Sequence, residues 1–328
     1  MPRSTSKRSE TSPESSSLAQ PASSNEKTAT PNIRIGPAGW SYSDWSGYVY
    51  PPKRPKGFHE ATFLAQFFDT IEINTSFYAP IRPDHAKQWI DRVAANPKFT
   101  FTAKLWQKFT HEAIAVPSII TPADDRAVRE GFNILQRAGK LGAVLLQFPF
   151  SFHRDQETTG YLGGLVERFS MYPLAVELRH ASWNDAEIFA LLREHRAAFC
   201  NIDQPLIGRS TEPSAEVTSD IAYVRMHGRR YDTWFSDDAE VPSYERYNYL
   251  YSNDELAPWA ERIENVAERT RDVFVVTNNH YLGKAVVNAL QLLSLISKSK
   301  VDVPEPLRRQ YPELEAIASR PPETPTLF

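Results

Sequence analysis

Short apolar segments that end in polar residues recur along the chain. They lie at residues 33–40, 70–74, 99–104, 143–148, 173–177, 198–203, 221–227 and 273–279. Such runs are typical of strands that are buried on both faces of a parallel sheet. Stretches with apolar residues at helical spacing separate most of them, whereas residues 204–219 show no clear helical period. The pattern predicts an α/β fold with eight parallel strands.

Eight strand units spread over about 265 residues predict a single-domain (β/α)8 TIM barrel, which we place at residues 32–297. A doubly wound open sheet is the alternative. That fold usually carries a glycine-rich turn after its first strand, and neither G-x-G-x-x-G nor G-x-x-x-x-G-K-[ST] occurs in the sequence. We therefore favour the barrel.

The two ends of the chain differ from the barrel region. Residues 1–31 are rich in Ser, Thr, Pro, Glu and Lys and nearly free of large apolar groups, which predicts a disordered tail. Residues 298–328 contain several prolines and form a C-terminal extension that packs on the outside of the barrel or trails away from it.

Composition narrows the class of protein. The formal net charge of −3 gives no support to a generally basic, nucleic-acid-binding surface. No apolar run is long enough for a transmembrane helix, and the N-terminal basic residues precede no apolar signal core. The single cysteine, Cys200, excludes an internal disulfide and suits a reducing compartment. We predict a cytoplasmic protein with no membrane partner.

Polar side chains stand at the C-terminal ends of nearly all predicted strands. They are Glu72, Asn74, Lys104, Gln147, Glu177, Arg179, Asp203, Arg225, His227 and Asn278. Residues two apart in a strand share a face, and active sites of TIM barrels lie at the C-terminal ends of the strands. We expect these side chains to share one cavity in the barrel mouth. The alternative is an inward structural network of ion pairs.

The residue types suggest separate roles in that cavity. Crowded carboxylates near apolar walls are candidate general acids or bases, and an imidazole is the best proton carrier near neutral pH. The predicted catalytic residues are therefore Glu72, Glu177, Asp203 and His227. The predicted substrate-binding residues are Lys104, Arg179 and Arg225 for a carboxylate or phosphate, and Asn74, Gln147 and Asn278 for orientation. Each carboxylate could instead be only the partner of a neighbouring cation.

Aromatic residues follow the strands at the same end, and Trp40 and Tyr42 are predicted to wall the substrate site. Packing that closes the barrel top is the alternative. Glu72, Glu177, Asp203 and His227 could in principle hold a divalent ion. Neither H-x-x-x-H nor C-x-x-C spacing occurs, and three nearby cations oppose a metal. We predict no metal, and the sequence leaves any cofactor unknown.

At these positions the chain resembles the YecE-like family, catalogued as domain of unknown function 72. The matching stretches are GPAGWSY (36–42), EINTSFY (72–78), FTAK (101–104), LQFP (146–149), VELRHASW (176–183), YVRMHG (223–228) and NNH (278–280). The resemblance implies a TIM barrel with a pocket at the C-terminal strand ends, but no reaction. The family has been linked to barrel-fold DNA-repair nucleases, whose rich His, Asp and Glu metal cluster this sequence lacks.

Three hypotheses of function remain. The first is an enzyme that acts by acid–base chemistry on a small polar, anionic substrate, in a hydrolysis, an elimination or an isomerisation. The second is a nucleic-acid-binding module, in which bases stack on Trp40, Trp45 and Trp234 and phosphates contact the cations. The third is a non-catalytic ligand-binding protein. The sequence makes no prediction of oligomeric state.

Overall fold

The computed structural model describes residues 32–234 and 242–319. Eight parallel strands form its centre, as the apolar segments predict. They are β1 (Asn32–Pro37), β2 (Thr70–Ile73), β3 (Thr100–Lys104), β4 (Leu141–Gln147), β5 (Leu174–Glu177), β6 (Ala197–Asp203), β7 (Ile221–Met226) and β8 (Asp272–Thr277). From β2 to β8 each strand pairs with the next, and β8 pairs with β1. The predicted TIM barrel is confirmed.

The barrel closes between β1 and β2 through a short contact just beyond the end of β1. Ala38 forms a parallel bridge with Glu72, and the Gly39 N–H donates to the Glu72 carbonyl oxygen at 2.9 Å. The two chains come very close here, because a Cβ atom at Gly36 would lie 1.9 Å from the Thr70 carbonyl oxygen. Only glycine permits this approach.

Helices cover the outside of the barrel. They are α1 (Glu60–Leu64), α2 (Pro83–Arg92), α3 (Pro122–Arg137), α4 (Gln156–Arg168), α5 (Ala186–Glu194), α6 (Asn253–Ala267), α7 (Lys284–Ser297) and α8 (Glu305–Gln310). Residues 204–220, which the structure describes in full, contain no helix, so β6 and β7 are joined by a loop. Within the described ranges no helix combines the length and apolar composition needed to cross a bilayer.

Strand alternation divides the core into two parts. Inward residues such as Ala143, Cys200 and Tyr223 fill the barrel, while their sequence neighbours pack against the helices. On β7, Val224 and Met226 face the helices, so Arg225 follows Tyr223 on the interior side. The same alternation carries polar side chains into the mouth at the end of each strand.

The C-terminal extension packs against the barrel for as far as the structure describes it. Leu307 and Leu314 are fully buried in the same core as the helices, and Tyr311 donates to the Leu282 carbonyl oxygen at 2.9 Å. Val301 and Ala318 form a bridge within the extension. The predicted tail at residues 1–31, part of the loop after β7 (235–241) and residues 320–328 lie outside the described residues.

Candidate functional site

Arg225 is the centre of a charged cluster at the C-terminal ends of the strands. Its side chain is fully buried and forms a bidentate pair with Glu72, with Nε 3.0 Å from Oε2 and Nη2 2.6 Å from Oε1. Its Nη1 atom donates to Glu177 Oε2 at 3.0 Å. The planar guanidinium thus joins strands β2, β5 and β7 across the barrel, which a lysine ammonium could not do with the same geometry.

The two carboxylates of the cluster have further donors. Glu72 Oε2 accepts from the Tyr223 hydroxyl at 2.8 Å. Glu177 Oε1 accepts from Arg179 Nε at 2.7 Å and lies 3.2 Å from His227 Nε2. Both glutamates and His227 have fully buried side chains. A buried charge is tolerated only when such partners are present.

The cluster holds both carboxylates ionised and the imidazole neutral. Burial opposes ionisation of Glu72 and Glu177, but the charge of Arg225 outweighs it, and the pKa of each carboxyl lies below its ordinary value. Burial lowers the pKa of His227 to about 3. A neutral His227 that donates Nε2–H to Glu177 then accepts at Nδ1 from Asn278 Nδ2, 3.1 Å away. Its ring nitrogens are thus both used within the protein.

Two cations form the accessible layer above this cluster. The side chains of Lys104 and Arg179 are 12% and 17% exposed. Lys104 Nζ lies 3.9 Å from Glu72 Oε1 and 5.3 Å from the centre of the Phe77 ring. Burial, with the charge of Arg225 second, lowers the pKa of Lys104 to about 7. Gln147 is half-buried beside them, with its Oε1 3.4 Å from Arg225 Nη1.

Tyr42, Asn74 and His280 form one wall beside the cluster. The Tyr42 hydroxyl donates to the Ala38 carbonyl oxygen at 2.7 Å and accepts from Asn74 Nδ2 at 3.2 Å. Its ring stacks on His280 with centroids 4.4 Å apart. Burial raises the pKa of Tyr42, so the hydroxyl stays protonated. Among the described residues Asn74 Oδ1 is buried and has no hydrogen-bond partner, which leaves an acceptor for a ligand or water.

The structure places Asp203 away from this cluster, and the prediction that it faces the mouth is wrong. Residues Ala198, Cys200 and Ile202 of β6 point into the barrel, so Asp203 points outward. Its carboxylate accepts from Arg229 Nη2 at 2.6 Å, from the Tyr251 hydroxyl at 2.8 Å and from Trp259 Nε1 at 2.5 Å. These contacts tie β6 to the loop after β7 and to α6.

Trp40 does not contact the charged cluster, and its place in the wall of a substrate site stays a prediction. Gly39 has a φ of +77°, which breaks the alternation of β1 just before the tryptophan. The Trp40 ring packs edge-to-face on Trp89 of α2, with centroids 5.4 Å apart, and on Phe101 of β3. It therefore lies between strands and helix and lines a cleft of about 450 Å³. The residues common to this cleft and the wall beside the cluster are Tyr42 and Asn74.

The remaining predicted residues are brought together. Glu72, Lys104, Gln147, Glu177, Arg179, Arg225, His227 and Asn278 are linked by the contacts above, and Tyr42 and Asn74 adjoin them. Sequence reasoning missed Tyr223 and Thr102, whose hydroxyls lie 2.9 Å apart beneath Glu72. Each stands two residues before a predicted site residue, so strand alternation was the signal that could have found them.

Within the described ranges no three His, Cys, Asp or Glu side chains are grouped so that they could hold a metal ion. Glu72 and Glu177 are separated by the Arg225 guanidinium, which pairs with both. Asp203 binds other partners outside the barrel.

Asp203→Asn is expected to lower the free energy of unfolding by about 2–4 kcal/mol. All the side-chain partners of Asp203 are donors, so an amide nitrogen at this place would face another donor. Urea unfolding measures the loss. The matched control is Asp232→Asn, an exposed carboxylate paired with Arg230, for which we expect little change. An equally stable Asp203→Asn protein would contradict a structural role.

Closed parallel strands, surrounding helices and a charged cluster at the strand ends define a TIM-barrel protein. The family model described as "Protein of unknown function DUF72" matches residues 34–312. The chain therefore belongs to the DUF72 family, which agrees with the resemblance seen in the sequence.

Relatives support this assignment. The chain is 28% identical over 272 residues to UPF0759 protein YunF of Bacillus subtilis (strain 168), covering 80% of this chain and 94% of that protein. A crystal structure of a DUF72 family protein from Thermotoga maritima MSB8 matches with a TM-score of 0.70 and 32% identity, covering 81% and 99% of the two chains. A DUF72 family protein from Enterococcus faecalis V583 has the same fold, with a TM-score of 0.70, 24% identity and coverage of 83% and 98%.

Proposed function

We propose that this protein is an enzyme that acts by acid–base chemistry on a small polar, anionic substrate bound in the barrel mouth. The observation that carries the proposal is the charge balance of the cluster. The two negative charges of Glu72 and Glu177 are balanced by the two positive charges of Arg225 and Arg179. Protonation of Lys104 therefore leaves the cluster with one positive charge in excess. An anion that reaches Lys104 and Arg179 would compensate it.

In this proposal the partly exposed residues and the buried residues have different roles. Lys104 and Arg179 are partly exposed and contact the substrate, while Asn74, Gln147 and Asn278 orient it. Glu72, Glu177 and His227 have no exposed side chain and already have partners. They act as positioning residues that set the charge and the orientation of the two cations.

Lys104 is the group best suited to transfer a proton. A pKa of about 7 means that its amine takes up and releases protons at neutral pH. By contrast, the pKa of Glu177 lies well below its ordinary value because the charges of Arg225 and Arg179 outweigh burial. A strongly stabilised carboxylate is a weak base. Hydrolysis, elimination and isomerisation all remain compatible with an amine in this position.

The three tryptophans on which bases would stack in a nucleic-acid-binding module are nearly buried. Trp40, Trp45 and Trp234 are only 9%, 0% and 6% exposed, so none offers a free ring face of the size of a base. A non-catalytic ligand-binding protein would use the same anion site without turnover. The two remaining hypotheses therefore differ in product formation.

The test is a screen of carboxylate and phosphate metabolites by thermal shift and by product detection. We expect ligands that stabilise the wild type to bind on the order of tenfold more weakly to Arg179→Met, because a charge-assisted hydrogen bond is lost. Glu177→Gln should lose turnover through the misplaced Arg179 and His227. The matched control is Arg154→Met, an arginine of similar exposure that pairs with Asp185; its binding should be unchanged.

Three results would overturn the proposal. The first is unchanged turnover in Glu177→Gln together with unchanged binding in Arg179→Met. The second is binding without any product across the screen. The third is retention of single-stranded DNA in a low-salt gel shift that Arg179→Met weakens and Arg154→Met does not.

A further inference from the structure

The Lys104 amine differs from every other charged group of the cluster in its bonding. Its nearest acid oxygen, Glu72 Oε1, is 3.9 Å away, which is beyond hydrogen-bond distance. By contrast, the nitrogens of Arg225 and Arg179 donate to carboxylates at 2.6–3.0 Å. Within the described residues the amine therefore has no hydrogen-bond partner to be displaced.

The amine lies between an apolar wall and a neighbouring positive charge. The Phe77 ring covers one side at 5.3 Å, and the charge of Arg225 acts on the amine from below. The side chain is 12% exposed, so it is not closed off from solvent as Glu72, Glu177 and Arg225 are. Desolvation and a neighbouring cation are the two conditions that make a lysine amine nucleophilic near neutral pH.

We propose that Lys104 is a nucleophile that forms an imine with the carbonyl carbon of an aldehyde or ketone bearing a carboxylate or phosphate. This assignment rests on the proposed function and narrows its substrate class. Arg179, the other accessible cation, binds the anionic group, and the carbonyl carbon then lies against Nζ of Lys104.

The chemistry needs no partner beyond water and protons. The neutral amine attacks the carbonyl carbon, so that a C–N bond forms as the C=O π bond breaks. A proton then passes from the nitrogen to the oxygen and gives a neutral carbinolamine. Loss of the hydroxyl group as water, with one proton taken up, gives a protonated imine that carries one positive charge. Glu72 stays ionised beside Nζ and stabilises this charge, as it does that of the protonated amine. Hydrolysis returns the amine.

Reductive trapping tests the proposal on the full-length protein. The probe is pyruvate with sodium cyanoborohydride, which reduces the imine to a stable secondary amine that peptide mass spectrometry locates. We expect an adduct on Lys104 that forms on the order of tenfold faster at pH 7.5 than on ordinary exposed lysines, whose neutral fraction there is roughly 0.1%. Acetone, a ketone of similar size without an anionic group, should show a smaller preference for Lys104 over exposed lysines.

The matched control is Lys108, which lies in the next loop and donates to Asp124 at 2.8 Å. Lys108→Met should leave trapping at Lys104 unchanged, whereas Lys104→Arg keeps the charge and should abolish the adduct. The Lys104 trapping rate in wild type should rise with pH and reach half its maximum near pH 7.

A label spread over many lysines with no preference for Lys104 would overturn the imine, as would an equal preference for Lys104 with pyruvate and with acetone. Thermal stabilisation by pyruvate that Arg179→Met removes, without an adduct, would refute the imine and leave the anion site standing. Loss of both the adduct and the stabilisation would remove the two proposals together.

Discussion

Arg225→Met is expected to lower the free energy of unfolding by about 3–5 kcal/mol at neutral pH. The substitution removes the cation that pairs with both Glu72 and Glu177, and these carboxylates have no access to water that could solvate them. Attraction to Arg225 also holds the pKa of both carboxyls below its ordinary value despite burial. Without it, desolvation dominates, and each acid must either take up a proton or remain as an uncompensated charge.

Urea unfolding at several pH values measures this effect. The loss should shrink as the pH falls, because protonation removes the carboxylate charges that Arg225 neutralises. The matched control is Arg225→Met in a Glu72→Gln/Glu177→Gln background, where the cost should be much smaller because no buried anion is left unpaired. A loss below about 1 kcal/mol in the wild-type background would mean that the cluster does not hold two ionised carboxylates.

Lys104→Met is expected to act in the opposite direction and to stabilise the protein by roughly 3 kcal/mol at pH 7, while binding of the anionic ligand is lost. Burial and the charge of Arg225 lower the pKa of Lys104 from 10.5 to about 7. Keeping a proton on this amine in the folded state is therefore unfavourable. Methionine has a similar length and no charge, and it leaves Glu72 paired with Arg225.

The lowered pKa of Lys104 also predicts how the stability of the wild type changes with pH. Between about pH 7 and 10.5 the unfolded chain binds a proton on Lys104 that the folded protein has released. Wild-type stability should therefore rise with pH through this window, by up to about 1.4 kcal/mol per unit from this group. The advantage of Lys104→Met should be greatest at and below pH 7 and vanish near pH 10.5. A variant that is less stable than wild type at pH 7 would refute a strained, functional lysine.

Most of the barrel was predictable because its signals are local. An apolar run such as residues 143–148 is buried on both faces wherever it lies in a parallel barrel, and Thr121 with Asp124 forms the capping box that begins α3. The cluster followed from the same rule, because the inward positions at the ends of parallel strands meet at one end of the barrel. This placed Glu72, Glu177 and Arg225 together although they are far apart in the chain.

Asp203 and Trp40 show where that rule fails. Both stand at a strand end, but the alternation of β6 turns Asp203 outward, and the positive φ of Gly39 turns Trp40 toward α2. The position of a residue at the C-terminal end of a strand predicts only that its side chain lies near the mouth. It does not predict whether the side chain points into the barrel or toward the helices. Which face it occupies is decided by the register of the strand within the closed sheet.

The sequence by itself determined the eight strands, their order and the charge types that gather at one end, because hydrophobic periodicity and strand direction are properties of the chain. Only the tertiary structure decided which charges are neutralised and which remain available. Pairing and burial depend on contacts across the barrel: Arg225 satisfies two glutamates from other strands, and Lys104 is left largely desolvated without a hydrogen bond. Those distances between strands are encoded in no local pattern.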